Sequence, residues 1–158
     1  MRKIRGYEPV GRITCDKNVQ FLVDGFTLFS ERVAQRRAVF EWYDEALSGV
    51  PGVAFMPELE GSKSNRWLTA LTVNTEKAGV SHLEMIEALA AENIEARPVW
   101  KPLHLQLVFE GTKYYPHEGG WNVSDELFCY GLCLPAGSNM TKEELERVIG
   151  VIKTMISK

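Results

Sequence analysis

The spacing of apolar positions changes several times along the chain, and each change marks an element. From Ser30 onward Val33, Phe40, Tyr43 and Leu47 recur at intervals of three, four or seven residues, the spacing of one helix face. Ser30 is suited to cap that helix, because its hydroxyl can accept from a free first-turn amide. Gly49 followed by Pro51 predicts where it stops. Val53 to Met56 predicts a short strand, and the polar ELEGSKSN after it a loop. RWLTALTV, from Arg66 to Val73, sets Trp67, Thr69, Leu71 and Val73 against Leu68, Ala70 and Thr72. That is the alternation of a strand with both faces mostly covered.

Ser81 and Glu84 form a capping box, in which hydroxyl and carboxylate satisfy opposite orphan amides. The helix it opens points Leu83, Ile86 and Leu89 inward and stops at Asn93, a residue that tolerates the left-handed conformation. IEARPV then predicts a strand ended by Pro98. Ser124, with Asp125 and Glu126 in the first turn, starts a short helix that Gly131 closes, and LCLP is a short buried strand. Thr141 and Glu144 make a second capping box, followed by the chain's best amphipathic stripe: Leu145, Val148, Ile149, Ile152 and Ile156. The order predicts an α/β fold of the α+β sandwich type, one short mixed or antiparallel sheet with helices packed on it. The helix after RWLTALTV is expected to lead into a neighbouring strand. Residues 1–29 match this scheme poorly, since Gly25 interrupts a helix and Asp24 a buried strand. They are set apart from a domain spanning 30–158.

Composition narrows the picture. At 158 residues the chain is one domain, long enough to bury a core without staples. A net charge of -3, with no run of Lys or Arg, argues against nucleic acid as a partner. No segment reaches membrane-spanning length, and MRKIRGYEP lacks the apolar stretch of a leader. Cys15, Cys129 and Cys133 form no C-x-x-C pair, the pattern of reduced thiols in a cytoplasmic protein, with Cys129 and Cys133 expected as small buried residues.

No self-sufficient catalytic motif appears: there is no nucleophile elbow, Walker loop, H-E-x-x-H or dinucleotide glycine fingerprint. His82, His104 and His117 stand too far apart for short metal-ligand spacings, so no catalytic residue and no metal ligand is assigned. His82, just inside a capped helix start, reads as a surface residue, and His117 in YYPHEGGWN as a solvated one. RPVWKPLH is different. Pro98 and Pro102 stiffen the chain around Trp100 and Lys101. Such a loop can present a stacking ring, a point charge for phosphate and a hydrogen-bonding imidazole, His104, to an anionic ring-containing ligand. In the plainer reading Trp100 plugs the end of the sheet and Lys101 is solvated; the residues alone leave both open. The GLCLPAGSNMTKEE turn precedes a helix N-terminus, a usual place for anions, but Thr141 and Glu144 already occupy the first-turn amides.

RRAVFEWYDEALSGVPGV, SNRWLTALTV, IEARPVWKPLHLQLVF and SDELFCYGLCLPAGSNMTKEELERVIGVIK occur in an order and spacing that resemble the C-terminal part of DegT/DnrJ/StrS-family sugar aminotransferases. The likeness runs from about Ser30 to Lys153 and rests on W-K-P-x-H and G-L-x-L-P-x-G-S-x-x-T, nearest to the bacillosamine-type branch. It implies the small C-terminal domain of a fold-type I aminotransferase. An intact member uses pyridoxal phosphate to move an amino group from glutamate to a 4-keto, UDP-linked deoxysugar, for cell-surface polysaccharide or glycan synthesis. The resemblance makes Trp100, Lys101 and His104 substrate-side residues, with Arg97 and Asn65 weaker candidates for the same rim.

The large domain of that family supplies the Schiff-base lysine, the acidic partner of the pyridine nitrogen and the phosphate site, and none of those motifs is found here. The family's G-Y-N-Y-R-x-S-N stretch is replaced by GYEPVGRITCDKN, with Tyr7, Glu8, Val10 and Asn18 as remnants. A split, truncated or re-purposed product, inactive and cofactor-free when alone, is the expectation. Its partners would be a nucleotide-sugar and either a large domain or a second copy. The alternative is a stand-alone, non-catalytic domain that binds a nucleotide-sugar or a partner subunit.

Overall fold

The computed structural model describes residues 15–116 and 122–156, with side chains from residue 29 onward. Readings that fall on Tyr7, Glu8, Val10, the Asn18 side chain and His117 lie outside the described residues. Two compact units divide the chain, Met1–Arg32 and Val33–Lys158. In the first, the described residues are helical from Cys15.

Helix α1 spans Cys15–Leu47, so Ser30 lies inside it and is not its cap, and the stretch before Ser30 is helical from Cys15. The reason is energetic: an interior Gly costs about 1 kcal/mol and Ser or Asp less, which a long helix absorbs. Its buried face is Val39, Tyr43 and Leu47, spaced by four, while Val33 and Phe40 are half-buried. The Tyr43 hydroxyl donates to the Pro135 carbonyl at 3.1 Å. Beyond the helix, Gly52 adopts φ +79°, where a Cβ would stand 2.7 Å from the Asn74 carbonyl oxygen.

The sheet contains β1 (Val53–Phe55), β2 (Thr69–Val73), β3 (Arg97–Pro98) and β4 (Gly131–Leu134) in the order β1-β2-β4-β3, with every neighbouring pair antiparallel. β3 therefore does not neighbour β2: β4 inserts between them and provides the backbone partners on both sides. β3 is also shorter than IEARPV predicts. In register, Thr69 faces Leu134, Leu71 faces Leu132, and Ala70, Cys133 and Arg97 share one row on the opposite surface.

One surface of the sheet (Thr69, Leu71, Val73, Leu132 and Leu134) is fully buried in a core shared with α1, α3 (His82–Ala91) and α5 (Lys142–Ile156). The short α2 (Thr75–Ala78) follows β2 and is capped by the Asn74 side chain. In α3 the capping box forms, with Ser81 N–H on Glu84 Oε2 at 2.8 Å and Glu84 N–H on Ser81 Oγ at 3.2 Å. Asn93 takes the left-handed φ of 57°.

The inward face of α3 keeps Leu89 and, half-buried against the core, Ile86, but is turned away from Leu83. Met85 and Leu89 are buried together with His82, only 8% exposed, whereas Leu83 is 53% exposed. His82 is thus not a surface residue: three and seven residues before Met85 and Leu89, it belongs to their stripe. The second capping box holds too, Thr141 N–H meeting Glu144 Oε2 at 2.8 Å, and α5 buries Leu145, Val148 and Ile152. Ile149 and Ile156 are half-buried beside them.

The other surface of the sheet is left to α4 (Val123–Tyr130), which starts after Asn122 instead of at Ser124. Gly131 is needed where α4 turns into β4, since a Cβ there would lie 2.6 Å from Val99 Cγ2. α4 covers only part of this surface. No helix among the described residues is long and apolar enough to cross a membrane.

Candidate functional site

The uncovered part of the sheet is the floor of a cleft of about 730 Å³, and the segment leaving β3 builds its rim. Val99 N–H bonds to the Gly131 carbonyl at 3.0 Å, extending the ladder one residue past Pro98. Trp100 then swings out, 65% exposed, with its ring 6.4 Å from that of Trp67 and tilted by 31°. Lys101 is exposed, Pro102 is buried, and Gln106 Nε2 donates to the Lys101 carbonyl at 2.9 Å. Two single 3₁₀ turns, Leu103–Leu105 and Leu107–Phe109, carry the loop onward.

Trp67 is placed by local turns before β2. Arg66 takes a positive φ of 47°, and Asn65 Oδ1 accepts the Trp67 amide at 3.1 Å. Arg36 of α1 reaches across to donate to the Trp67 carbonyl and, at 3.2 Å, to that of Ala136. The two loops flanking the cleft are thereby tied to one guanidinium.

Trp67 and Trp100 form aromatic walls, Phe128 and Cys133 lie deeper, and Glu95, Arg97 and Lys101 stand at the opening. Arg97 Nε donates to Glu95 Oε1 at 2.7 Å, both side chains being well exposed. Burial pushes the Cys133 thiol up, favouring the neutral form in an apolar floor. Apolar walls with a few convergent charged groups suit a flat ligand carrying negative charge.

Of the residues singled out in the sequence, Trp100, Lys101 and Arg97 come together on this cleft. Asn65 stands behind Trp67, and His104 turns away toward α4. The imidazole is 17% exposed, with Nε2 2.9 Å from Asp125 Oδ1 and the Tyr114 ring stacked at 4.0 Å. Sequence reasoning missed Trp67, Phe128 and Cys133 as cleft residues and Arg36 as the tie between its loops. For Cys133 the signal was present: it alternates with Leu132 and Leu134, so it faces away from the core they enter. Arg36 carried no signal, since its partners lie 31 and 100 residues away.

The described residues present no lysine in the setting that Schiff-base chemistry with pyridoxal phosphate uses. Lysines 63, 77, 101, 113, 142 and 153 are all exposed, so none has the desolvated setting that readies an amine for Schiff-base chemistry. No group of three or more metal-ligating side chains occurs among the described residues.

A sheet covered by helices on one surface and by an open aromatic cleft on the other matches a known architecture. The chain belongs to the DegT/DnrJ/EryC1/StrS aminotransferase family, whose pattern matches residues 22–153. It is 49% identical over 125 residues to EpsN of Bacillus subtilis (strain 168), a protein named as a pyridoxal phosphate-dependent aminotransferase; the match covers 79% of this chain and 31% of EpsN. The chain thus spans about a third of the length of that relative. A DegT DnrJ EryC1 StrS aminotransferase from Brucella abortus superimposes with a TM-score of 0.64 at 27% identity, over 80% of this chain and 31% of that one. DesI, crystallised in the presence of its TDP-sugar product, shares the fold with a TM-score of 0.69 at 20% identity, over 80% of this chain and 31% of its own.

Proposed function

We propose that residues 30–158 are the small domain of a pyridoxal-phosphate-dependent sugar aminotransferase, and that their cleft forms the substrate-facing wall for a 4-keto nucleotide-sugar. The observation that carries this reading is the pair of aromatic walls with Lys101 and Arg97 at the opening, in a member of this aminotransferase family. Trp67 and Trp100 would stack on the flat parts of the ligand, and the two cations would meet its diphosphate. Storage of the amino group taken from glutamate is the cofactor's chemistry. In this reading the groups that anchor the cofactor lie outside the described residues, and the wall orients substrate and excludes water. The free thiols of Cys129 and Cys133 agree with work in the cytoplasm, on sugars destined for cell-surface polysaccharide.

Titrating the chain with a UDP-sugar while following tryptophan fluorescence tests this. A saturable change that disappears in Trp100→Ala is expected; an unchanged signal at millimolar ligand removes the reading. A second reading is ligand or subunit binding without catalysis, which the same open aromatic cleft would serve. Supplying a large domain in trans with pyridoxal phosphate, glutamate and a 4-keto UDP-sugar separates the two: transamination points to catalysis, and its absence to binding.

A further inference from the structure

We propose that His104, Asp125, Asn122 and Tyr114 form a closed latch that holds the Trp100–Lys101 edge beside Trp67. His104 and Asp125 are then positioning residues of the cleft, not ligands of its substrate. The importance for substrate rests on the function proposed above; the latch itself does not.

The ring of contacts closes on itself. Tyr114 Oη donates to Asn122 Oδ1 at 2.6 Å, and Asn122 Nδ2 donates to Asp125 Oδ2 at 3.1 Å. Asp125 Oδ1 is sealed from solvent without a well-aligned hydrogen bond, and His104 Nε2 is 2.9 Å away. The Tyr114 ring completes the circuit by stacking on His104, with planes 19° apart. Two of the four members belong to the start of α4, which is seated on the sheet, and two to the long loop.

The leverage is short. His104 follows Lys101 by three residues, with Pro102 between them fixing one φ. Gln106 Nε2 ties back to the Lys101 carbonyl. Fixing the imidazole therefore leaves few soft torsions for Trp100 and Lys101. Removing it strands a buried carboxylate oxygen, which drives the loop to rearrange. His104 is also absent from the cleft lining, so it does not meet a ligand seated there.

The Trp67–Trp100 pair supplies its own readout, because two indoles this close give an exciton couplet in far-ultraviolet circular dichroism. Trp67→Phe should abolish the couplet, separating it from Trp42 and Trp121. His104→Ala and Asp125→Ala should lose most of it while the helical signal and cooperative thermal unfolding persist, and His104→Gln, which keeps a donor at similar reach, should restore part. A full-strength couplet in folded His104→Ala and Asp125→Ala overturns the proposal, as does a wild-type spectrum insensitive to Trp67→Phe. Should Asp125→Ala not fold, Tyr114→Phe decides: it keeps the stacked ring and drops the Oη link, so partial loss supports the latch and no loss refutes it. No ligand is involved. A couplet that depends on the latch, alongside no UDP-sugar binding, leaves this inference standing and removes the proposed function.

Discussion

Arg37 and Glu58 meet through two parallel hydrogen bonds, Nη1 to Oε1 at 2.9 Å and Nη2 to Oε2 at 3.0 Å, which pin the polar 57–66 loop to α1. The Arg37 guanidinium first, then the Ser64 amide and the charge of Arg66, hold the Glu58 carboxyl at about 2 against an ordinary 4.5. A carboxylate depressed in the folded state contributes stability that is complete above 4.5 and is lost as pH falls through about 2. Urea unfolding along an acid series should therefore show a decline in that window that Glu58→Gln flattens. Parallel curves for wild type and variant would show that the pair carries no linkage.

His82 predicts a second, separate window. Its burial in the α3 stripe disfavours the imidazolium and lowers its pKa below 6.5. For a base depressed in the folded state, the unfolded chain binds the extra proton. Stability is then full above 6.5 and falls as pH drops below it. His82→Leu should remove this mildly acidic slope and leave the Glu58 slope intact. An unchanged slope between neutral pH and 6 would mean that His82 stays solvated in the folded protein.

The stripe on α5 is tested by two isoleucines. Ile152 is fully buried among Tyr43, Leu71 and their neighbours, so Ile152→Ala should cost about 2–5 kcal/mol. Ile149 keeps part of its surface in water, so the same change there should cost clearly less. Denaturant midpoints for the two variants give the order, and a reversed order would move the helix face by one position.

What the sequence disclosed follows the range of each interaction. Both capping boxes span three residues, and both form as read. The α5 stripe needs only a period, and it too was legible. The start of α1 was not, because Gly25 and Ser30 disfavour a helix by amounts that length overrides. The face of α3 was misjudged because His82 reads as polar, whereas it is buried on the same stripe as Met85 and Leu89. In the cleft, Trp100, Lys101 and Arg97 were visible because they sit within five residues of one another. The Trp67 wall, the Asp125 partner of His104 and the Arg36 bridge depend on contacts across 33, 21 and 100 residues, a distance at which local pattern carries nothing.

The cleft itself predicts how its cation behaves. Lys101 is exposed beside an exposed indole, so it contributes little to folding, and Lys101→Ala should leave stability within about 0.5 kcal/mol. If it meets the diphosphate of a nucleotide-sugar, the same variant should weaken UDP-sugar binding by roughly tenfold, about 1.4 kcal/mol. The loss should shrink as salt is raised, because a rim charge acts through solvent and is screened. Trp100→Ala should weaken binding as well but without that salt dependence, since stacking is not screened. Isothermal titration at low and high salt distinguishes the two contributions. Equal salt dependence in both variants would mean that Lys101 acts on the fold of the loop and not on the ligand's charge.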